Sequence, residues 1–200
     1  MRFDLEMIAS WIEPESRVLD LGCGEGDLLA FLKERKQVRG TGIERDEKKV
    51  AKCIEKGLTV VQGDMNREIL DYAENRFDFV ILSRTLQQVY RPAPLIRRIL
   101  EIGRRGIVSF PNFSHWKVRF QLLLTGRAPV TTQLPYQWHD TPNIRVITLG
   151  DFERFAEEMG FSILKEIAIT TRNQNGGGFR VRRFSNLRAT YGIFMIGRKP

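Results

Sequence analysis

Within the first 110 residues, short apolar runs alternate five times with amphipathic or charged stretches of helical length. That rhythm constrains the chain to an open, mostly parallel sheet with helices on both faces, a doubly wound α/β fold. Strands are read at Arg17 to Leu21, Gln37 to Ile43, Leu58 to Val61, Phe77 to Leu82 and Gly106 to Phe110, the last stopped by Pro111. The fourth is apolar to its end, as a strand buried on both faces should be. Helices are read over 27–36, 46–56 and 95–102. Ahead of them, Leu5, Ile8, Ala9, Trp11 and Ile12 recur at helical spacing and predict an N-terminal helix ending before Pro14.

Past Pro111 the rhythm breaks. Residues 112–147 are rich in aromatic side chains, Pro and Arg, and are read as a helix over 115–124 followed by an irregular loop. A further helix over 148–159 opens on a cap at Thr148 or Asp151. Two strands follow, 161–170 and 189–197, separated by a turn region at Gly176-Gly177-Gly178. No repeat or low-complexity linker interrupts the chain. One domain over 1–200 is therefore expected: an N-terminal helix (1–14), a ligand-binding half (15–110), an aromatic and basic cover (111–147), and a C-terminal helix with strands (148–200).

The first strand runs directly into Gly22-Cys23-Gly24-Glu25-Gly26. Three glycines at alternate positions let the backbone turn tightly and approach a ligand with no Cβ in the way. The longer G-x-G-x-x-G spacing, which serves a pyrophosphate at a helix N-terminus, would need glycine where this chain has Asp27. The shorter form, preceded by the acid Asp20, suits a nucleoside without pyrophosphate. Asp20 is placed either to hold a cationic group or to fix the loop. Glu44, at the end of the second strand, is placed to accept ribose hydroxyls. Asp64, after the third strand, is placed to accept from the exocyclic amine of adenine, with Met65 packing on the ring. In an open α/β sheet these positions line the crevice at the carboxyl ends of the strands.

The chain is basic, with 32 Lys and Arg against 24 Asp and Glu, a net charge of +8. The excess is local. Residues 1–101 hold 17 basic and 18 acidic side chains, 102–139 hold five basic and no acidic ones, and 171–200 hold seven basic and none acidic. The half carrying the glycine loop is near neutral, so the charge marks a surface elsewhere. No apolar run approaches the roughly 18–20 residues of a membrane-spanning helix, and Asp4 and Glu6 interrupt the apolar core a signal peptide needs. Cys23 and Cys53 form no disulfide framework, and no His/Cys cluster suggests a metal. A reducing, cytoplasmic setting is expected.

On the glycine loop, Glu44 and Asp64, the chain resembles the class I S-adenosylmethionine-dependent methyltransferases. That resemblance implies a Rossmann-like, seven-stranded sheet with the last strand antiparallel, and S-adenosylmethionine or S-adenosylhomocysteine held by Asp20, Gly22, Gly24, Glu44, Asp64 and Met65. Cys23 and Gly26 of the loop, and Ser83 and Gln87 after the fourth strand, complete the candidate cofactor set. A narrower likeness spans nearly the whole chain. The stretches Leu82-Ser83-Arg84-Thr85-Leu86-Gln87-Gln88-Val89, Ser109-Phe110-Pro111-Asn112-Phe113 and Leu134-Pro135-Tyr136-Gln137-Trp138 are similar to the MetW family of methionine biosynthesis proteins. That family implies association with homoserine O-acyltransferase.

The sulfonium of such a cofactor is already activated, so a general base matters where the acceptor carries a proton. The candidates are His115, His139 and Tyr136 in the aromatic segment, beside Trp116 and Trp138; each also reads as structural. No Asn/Asp-Pro-Pro-Tyr string follows the fourth strand, which disfavours planar amino groups as acceptors. Arg84 is placed either to clamp an anionic substrate or as a solvated helix start. The basic C-terminal stretch reads as a docking surface for an acidic partner or as a protected sheet edge. Nucleic acid ranks third, on the interleaving of Phe179, Phe184 and Tyr191. The expected function is thus an S-adenosylmethionine-binding protein that acts with or regulates the acyltransferase. The alternatives are an active methyltransferase on a small anionic metabolite and a nucleic-acid-binding methyltransferase.

Overall fold

The computed structural model describes residues 2–171 and 177–199. Its elements run α1 (Phe3–Trp11), β1 (Arg17–Leu21), α2 (Asp27–Lys36), β2 (Arg39–Glu44), α3 (Glu47–Glu55), β3 (Thr59–Gln62), α4 (Met65–Glu68), β4 (Phe77–Ser83), α5 (Pro92–Ile102), β5 (Gly103–Pro111), α6 (Trp116–Thr125), α7 (Leu149–Met159), β6 (Phe161–Thr171), β7 (Gly178–Arg180), α8 (Ser185–Arg188) and β8 (Tyr191–Arg198). The strands form one sheet in the order β3-β2-β1-β4-β5-β8-β6-β7.

The first five strands pair in parallel, with Asp20 beside Gly42 and Ile81, and Ser83 beside Ser109. Their carboxyl ends therefore share one edge, and the order reverses at β1, where β2 lies to one side and β4 to the other. Such a switch point opens the crevice that ligands use. The sheet has eight strands where seven were expected. The additional one is β7, three residues paired antiparallel to β6 and too short to leave a periodic pattern in the sequence. Because β8 runs antiparallel to both β5 and β6, β6 keeps the direction of the first five, and β7 and β8 oppose it. Of the expected turn glycines, Gly177 and Gly178 are described and Gly176 lies outside the described residues.

Each face of the sheet carries a core. On one, α1 and α2 bury Leu5, Ile8, Ile12, Leu28, Leu29 and Leu32 against Val18, Phe79, Ile107 and Ile193. On the other, α5 and α7 cover Leu19, Val80, Val108 and Phe194. Phe110, Phe152 and Phe194 meet with ring centroids 4.7–5.6 Å apart, and aromatic pairs of that kind add about 0.5–1.5 kcal/mol each beyond area burial. Helix α5 starts three residues earlier than the periodicity placed it, because Pro92 sits at its first turn, where a missing N–H costs nothing. Helix α7 opens on a capping box, Thr148 and Asp151 each accepting from the other's amide. Residues 127–147 contain no helix or strand.

Candidate functional site

Gly22, Gly24 and Gly26 all have positive φ, at 73°, 60° and 76°. Their roles differ. A Cβ on Gly26 would lie 2.4 Å from Leu58 Cδ1 and 2.9 Å from Cys53 Sγ, so this glycine lets α2 start close against the turn that leads into β3. A Cβ on Gly24 would meet nothing within 4 Å. The loop apex therefore faces open space, which a ligand can approach as closely as the backbone allows. The apex is gripped from both sides: the Gly24 amide donates to Glu44 Oε2 at 2.9 Å, and the Cys53 thiol lies 3.3 Å from the Gly24 carbonyl. Cys23 packs beneath β2, its sulfur 2.5 Å from where a Gly42 Cβ would be, so the face it leaves toward the crevice is backbone.

Glu44 ends β2. Its Oε1 accepts from the amides of Arg45 and Asp46 at 2.9 and 3.0 Å, and its Oε2 from Gly24. With about four acceptor positions on a carboxylate, three are filled by backbone. That geometry leaves one acceptor position unfilled. Asp64 caps α4, its Oδ1 accepting from the Asn66 amide and side chain. Those bonds hold its carboxyl below the usual range, the amide of Asn66 contributing most, so it stays an ionised acceptor. Met65, beside it, is partly buried and packs against the core cluster on the α5 and α7 face of the sheet.

Asp20 is 3% exposed, and no described residue donates a hydrogen bond to its carboxylate. Burial pushes its carboxyl up to about 7; the charge of Arg2 pulls the other way and Glu44 adds a smaller push. A buried acid without a donor, next to an unfilled glycine apex and flanked by Glu44 and Asp64 on the same sheet edge, fits a ligand that brings its own positive charge and hydroxyl donors. S-adenosylmethionine has both, and the residues present suit it.

The end of β4 holds a cluster that reaches further. Ser83 Oγ and Ser109 Oγ lie 3.0 Å apart, and the Arg84 amide is bonded to the Ser109 carbonyl at 2.8 Å. Arg84 has φ of 55°, unusual for a side chain with a Cβ. Its guanidinium-bearing side chain is mostly buried, at 17% accessible. Nε sits 2.9 Å from Asp4 Oδ2, and the group lies 4.2 Å over the Tyr191 ring. Arg84 Nη2, Asp4 Oδ1 and Gln87 Oε1 are buried without hydrogen-bond partners. The Gln87 side-chain amide donates to the Arg84 carbonyl, while the backbone carbonyl of Gln87 takes the amides of Ile144 and Arg145. The sequence reading found Arg84 and Gln87 but missed Asp4. The clue was there: Asp4, Ile8 and Ile12 share one face of α1 at i, i+4 spacing, and an acid on an apolar stripe needs a buried partner.

The three acid–base candidates do not converge. His115 is 8% exposed and caps α6, its Nδ1 accepting from the Lys117 amide at 3.3 Å. Burial, and then the charge of Lys117, hold it below the usual histidine range, so it is neutral at pH 7. His139 is exposed and stands edge-on to Trp138, and Tyr136 is exposed. No hydrogen bond or ring contact joins His115 to either. The aromatic interleaving of the basic tail also breaks, since Phe179 and Phe184 are exposed while Tyr191 is buried under Arg84. Among the described residues no group of His, Cys, Asp or Glu could hold a metal, and no helix is long and apolar enough to cross a membrane.

Sheet order, antiparallel β8 and crevice define the class: an α/β, Rossmann-like protein of the S-adenosylmethionine-dependent methyltransferase fold. Among solved structures, one such methyltransferase of Thermotoga maritima superposes with a TM-score of 0.70 over 98% of this chain and 90% of its own, at 15% identity. The [4+2]-cyclase SpnF shares the fold at a TM-score of 0.66 and 17% identity, over 97% of this chain and 80% of its own. A cyclase and a methyltransferase on one fold show that the fold alone does not assign the reaction.

The family described as methionine biosynthesis protein MetW matches residues 2–196, and the chain belongs to it. A bifunctional methionine biosynthesis protein MetXA/MetW of Rhodopirellula baltica is 32% identical over 176 residues, which is 84% of this chain and 28% of that protein. The chain thus spans less than a third of that relative's length.

Proposed function

We propose that the chain binds S-adenosylmethionine or S-adenosylhomocysteine at the carboxyl ends of β1, β2 and β3, and acts with or regulates homoserine O-acyltransferase in methionine biosynthesis. The observation that carries the partnership is the relative named for both MetXA and MetW, two functions on one polypeptide. The cofactor half rests on the open Gly24 apex, the donor-free Asp20 carboxylate and the acceptors Glu44 and Asp64 around them. Glu44 takes one ribose hydroxyl, the free oxygen of Asp64 takes the adenine amine, and Asp20 faces the cationic end. When bound, the cofactor supplies a methyl group on a positively charged sulfur.

A second reading, methyl transfer to a small anionic metabolite, draws on Arg84 Nη2 and Gln87 Oε1, both buried without partners at the end of β4. The lack of a convergent base among His115, His139 and Tyr136 weighs against acceptors that must lose a proton.

Titration calorimetry with S-adenosylmethionine and S-adenosylhomocysteine tests the cofactor half, and heat indistinguishable from dilution removes it. Acyl-transfer rates of homoserine O-acyltransferase measured with and without the chain test the rest. A complex and an altered rate are expected. Unchanged rates with no complex would remove the partnership and leave methyl transfer as the better reading.

A further inference from the structure

Helix α6 breaks the pattern that places helices in a globular protein. Of its ten residues Val118 alone is buried, while Trp116, Phe120, Leu122, Leu123 and Leu124 are exposed, Leu123 at 79%. A helix of ten residues is marginal by itself, and one that is apolar on most of its faces belongs under cover. The loop that follows extends the surface instead of covering it. Trp138, 77% exposed, joins Gln121, Thr125, Arg127 and Val130 around a cleft of about 860 Å³. Exposed apolar surface of this extent, flanked by charge, marks an interaction site. Here the rim is Lys117, Arg119 and Arg127, and no acid occurs in residues 102–139.

We propose that this α6–Trp138 face is the surface on which the chain docks homoserine O-acyltransferase, an inference that rests on the partnership proposed above. The charge argues against a second copy of the chain. A two-fold pairing lays one patch on itself and would set Lys117, Arg119 and Arg127 against their own kind, a costly juxtaposition. Nucleic acid is disfavoured because three of the five exposed apolar side chains of α6 are leucines, whereas bases stack on rings. A partner with an apolar groove and an acidic rim satisfies both features. Phe120, Leu123 and Trp138 form the desolvated centre, where binding energy concentrates, and the basic rim sets orientation and association rate.

The test mixes the purified chain with purified homoserine O-acyltransferase from the same organism and compares Leu123→Glu, Trp138→Ser and, as a control, Ile54→Glu on α3, an apolar side chain exposed elsewhere. Circular dichroism and melting confirm that each variant is folded; if Leu123→Glu is not, Trp138→Ser decides. Leu123→Glu is expected to weaken the complex at least 100-fold and Trp138→Ser roughly 10-fold or more, the range in which central interface residues act, with Ile54→Glu unchanged. A wild-type complex that both patch variants form as tightly overturns the docking face and leaves the partnership standing. No wild-type complex overturns both. Sedimentation showing a dimer of the chain that Leu123→Glu dissociates, or binding to anionic vesicles that it abolishes, would assign the face to another occupant and overturn the proposal.

Discussion

The amide of Gly24 donates to Oε2 of Glu44 across 2.9 Å, tying the apex of the glycine loop to the end of β2. One carboxylate thus sets the loop's shape and keeps one acceptor position unfilled, the one assigned to a ribose hydroxyl in the proposed function. Glu44→Ala removes both. Losing a hydrogen bond to a charged group costs about 1.5–3 kcal/mol, so S-adenosylmethionine should bind roughly 10- to 100-fold more weakly, read by calorimetry. Glu44→Gln keeps an oxygen for the Gly24 amide and should retain more of the affinity. Equal affinity in all three proteins would remove Glu44 from the site.

Asp20 makes stability depend on pH in an unusual direction for an acid. Its folded carboxyl, pushed up to about 7, holds a proton that the unfolded chain releases near pH 4. The folded state therefore binds more protons across that window, and stability falls as pH rises from about 4 to about 7, levelling above it. The whole interval amounts to something on the order of 4 kcal/mol. Asp20→Asn should flatten that slope in urea titrations at pH 5 and pH 8. If the cation of the cofactor faces Asp20, binding at pH 6.5–7 should expel a proton, seen as binding heats that differ between buffers of unlike ionisation enthalpy. Identical heats would place the cation elsewhere.

Arg84 and Asp4 fasten α1 to the end of β4, with side chains 17% and 1% accessible. Removing one member of a buried pair leaves the other uncompensated, at about 3–5 kcal/mol. Arg84→Met should approach the lower figure, since Arg2 remains 3.2 Å from Asp4. The double variant with Asp4→Asn should recover part of the loss by denaturant unfolding. A cycle with no coupling between the two positions would show that the pair does not hold α1 in place.

The sheet was legible because short strands alternate with helix-length stretches through β5, and because β4, buried nearly throughout, is apolar almost to its end, a pattern that burial on both faces imposes. The crevice acids were legible because the fold puts strand ends together, so Asp20, Glu44 and Asp64 needed no tertiary knowledge beyond topology. What escaped was set by contacts between distant segments. The ring of Tyr191 looked like one more aromatic in a basic tail, yet it lies under Arg84, more than 100 positions earlier in the chain. His115 looked like a base because histidine usually titrates near neutrality; its place at the start of α6 makes its Nδ1 a cap, a duty residue identity alone seldom announces. Strand β7 escaped because three residues of ladder carry no period.

Gly24 and Gly26 differ in what surrounds them, so on the proposed function they separate ligand binding from folding within a single turn. Both have positive φ, so an alanine at either position costs about 1–2 kcal/mol of backbone strain. At Gly26 the new methyl would also drive into Leu58 and Cys53, adding overpacking of about 1–3 kcal/mol. Gly26→Ala should therefore melt well below the parent, with its remaining folded fraction binding S-adenosylmethionine nearly as before. At Gly24 the methyl enters space that the chain leaves open. Gly24→Ala should melt below the parent by the backbone strain alone, less than Gly26→Ala does, and lose about tenfold or more in affinity, because the ligand must retreat from the backbone it would otherwise touch. Measured together by thermal melting and calorimetry, the two variants should trade places between the assays. If Gly24→Ala instead binds as tightly as the parent, the ligand does not approach the loop apex.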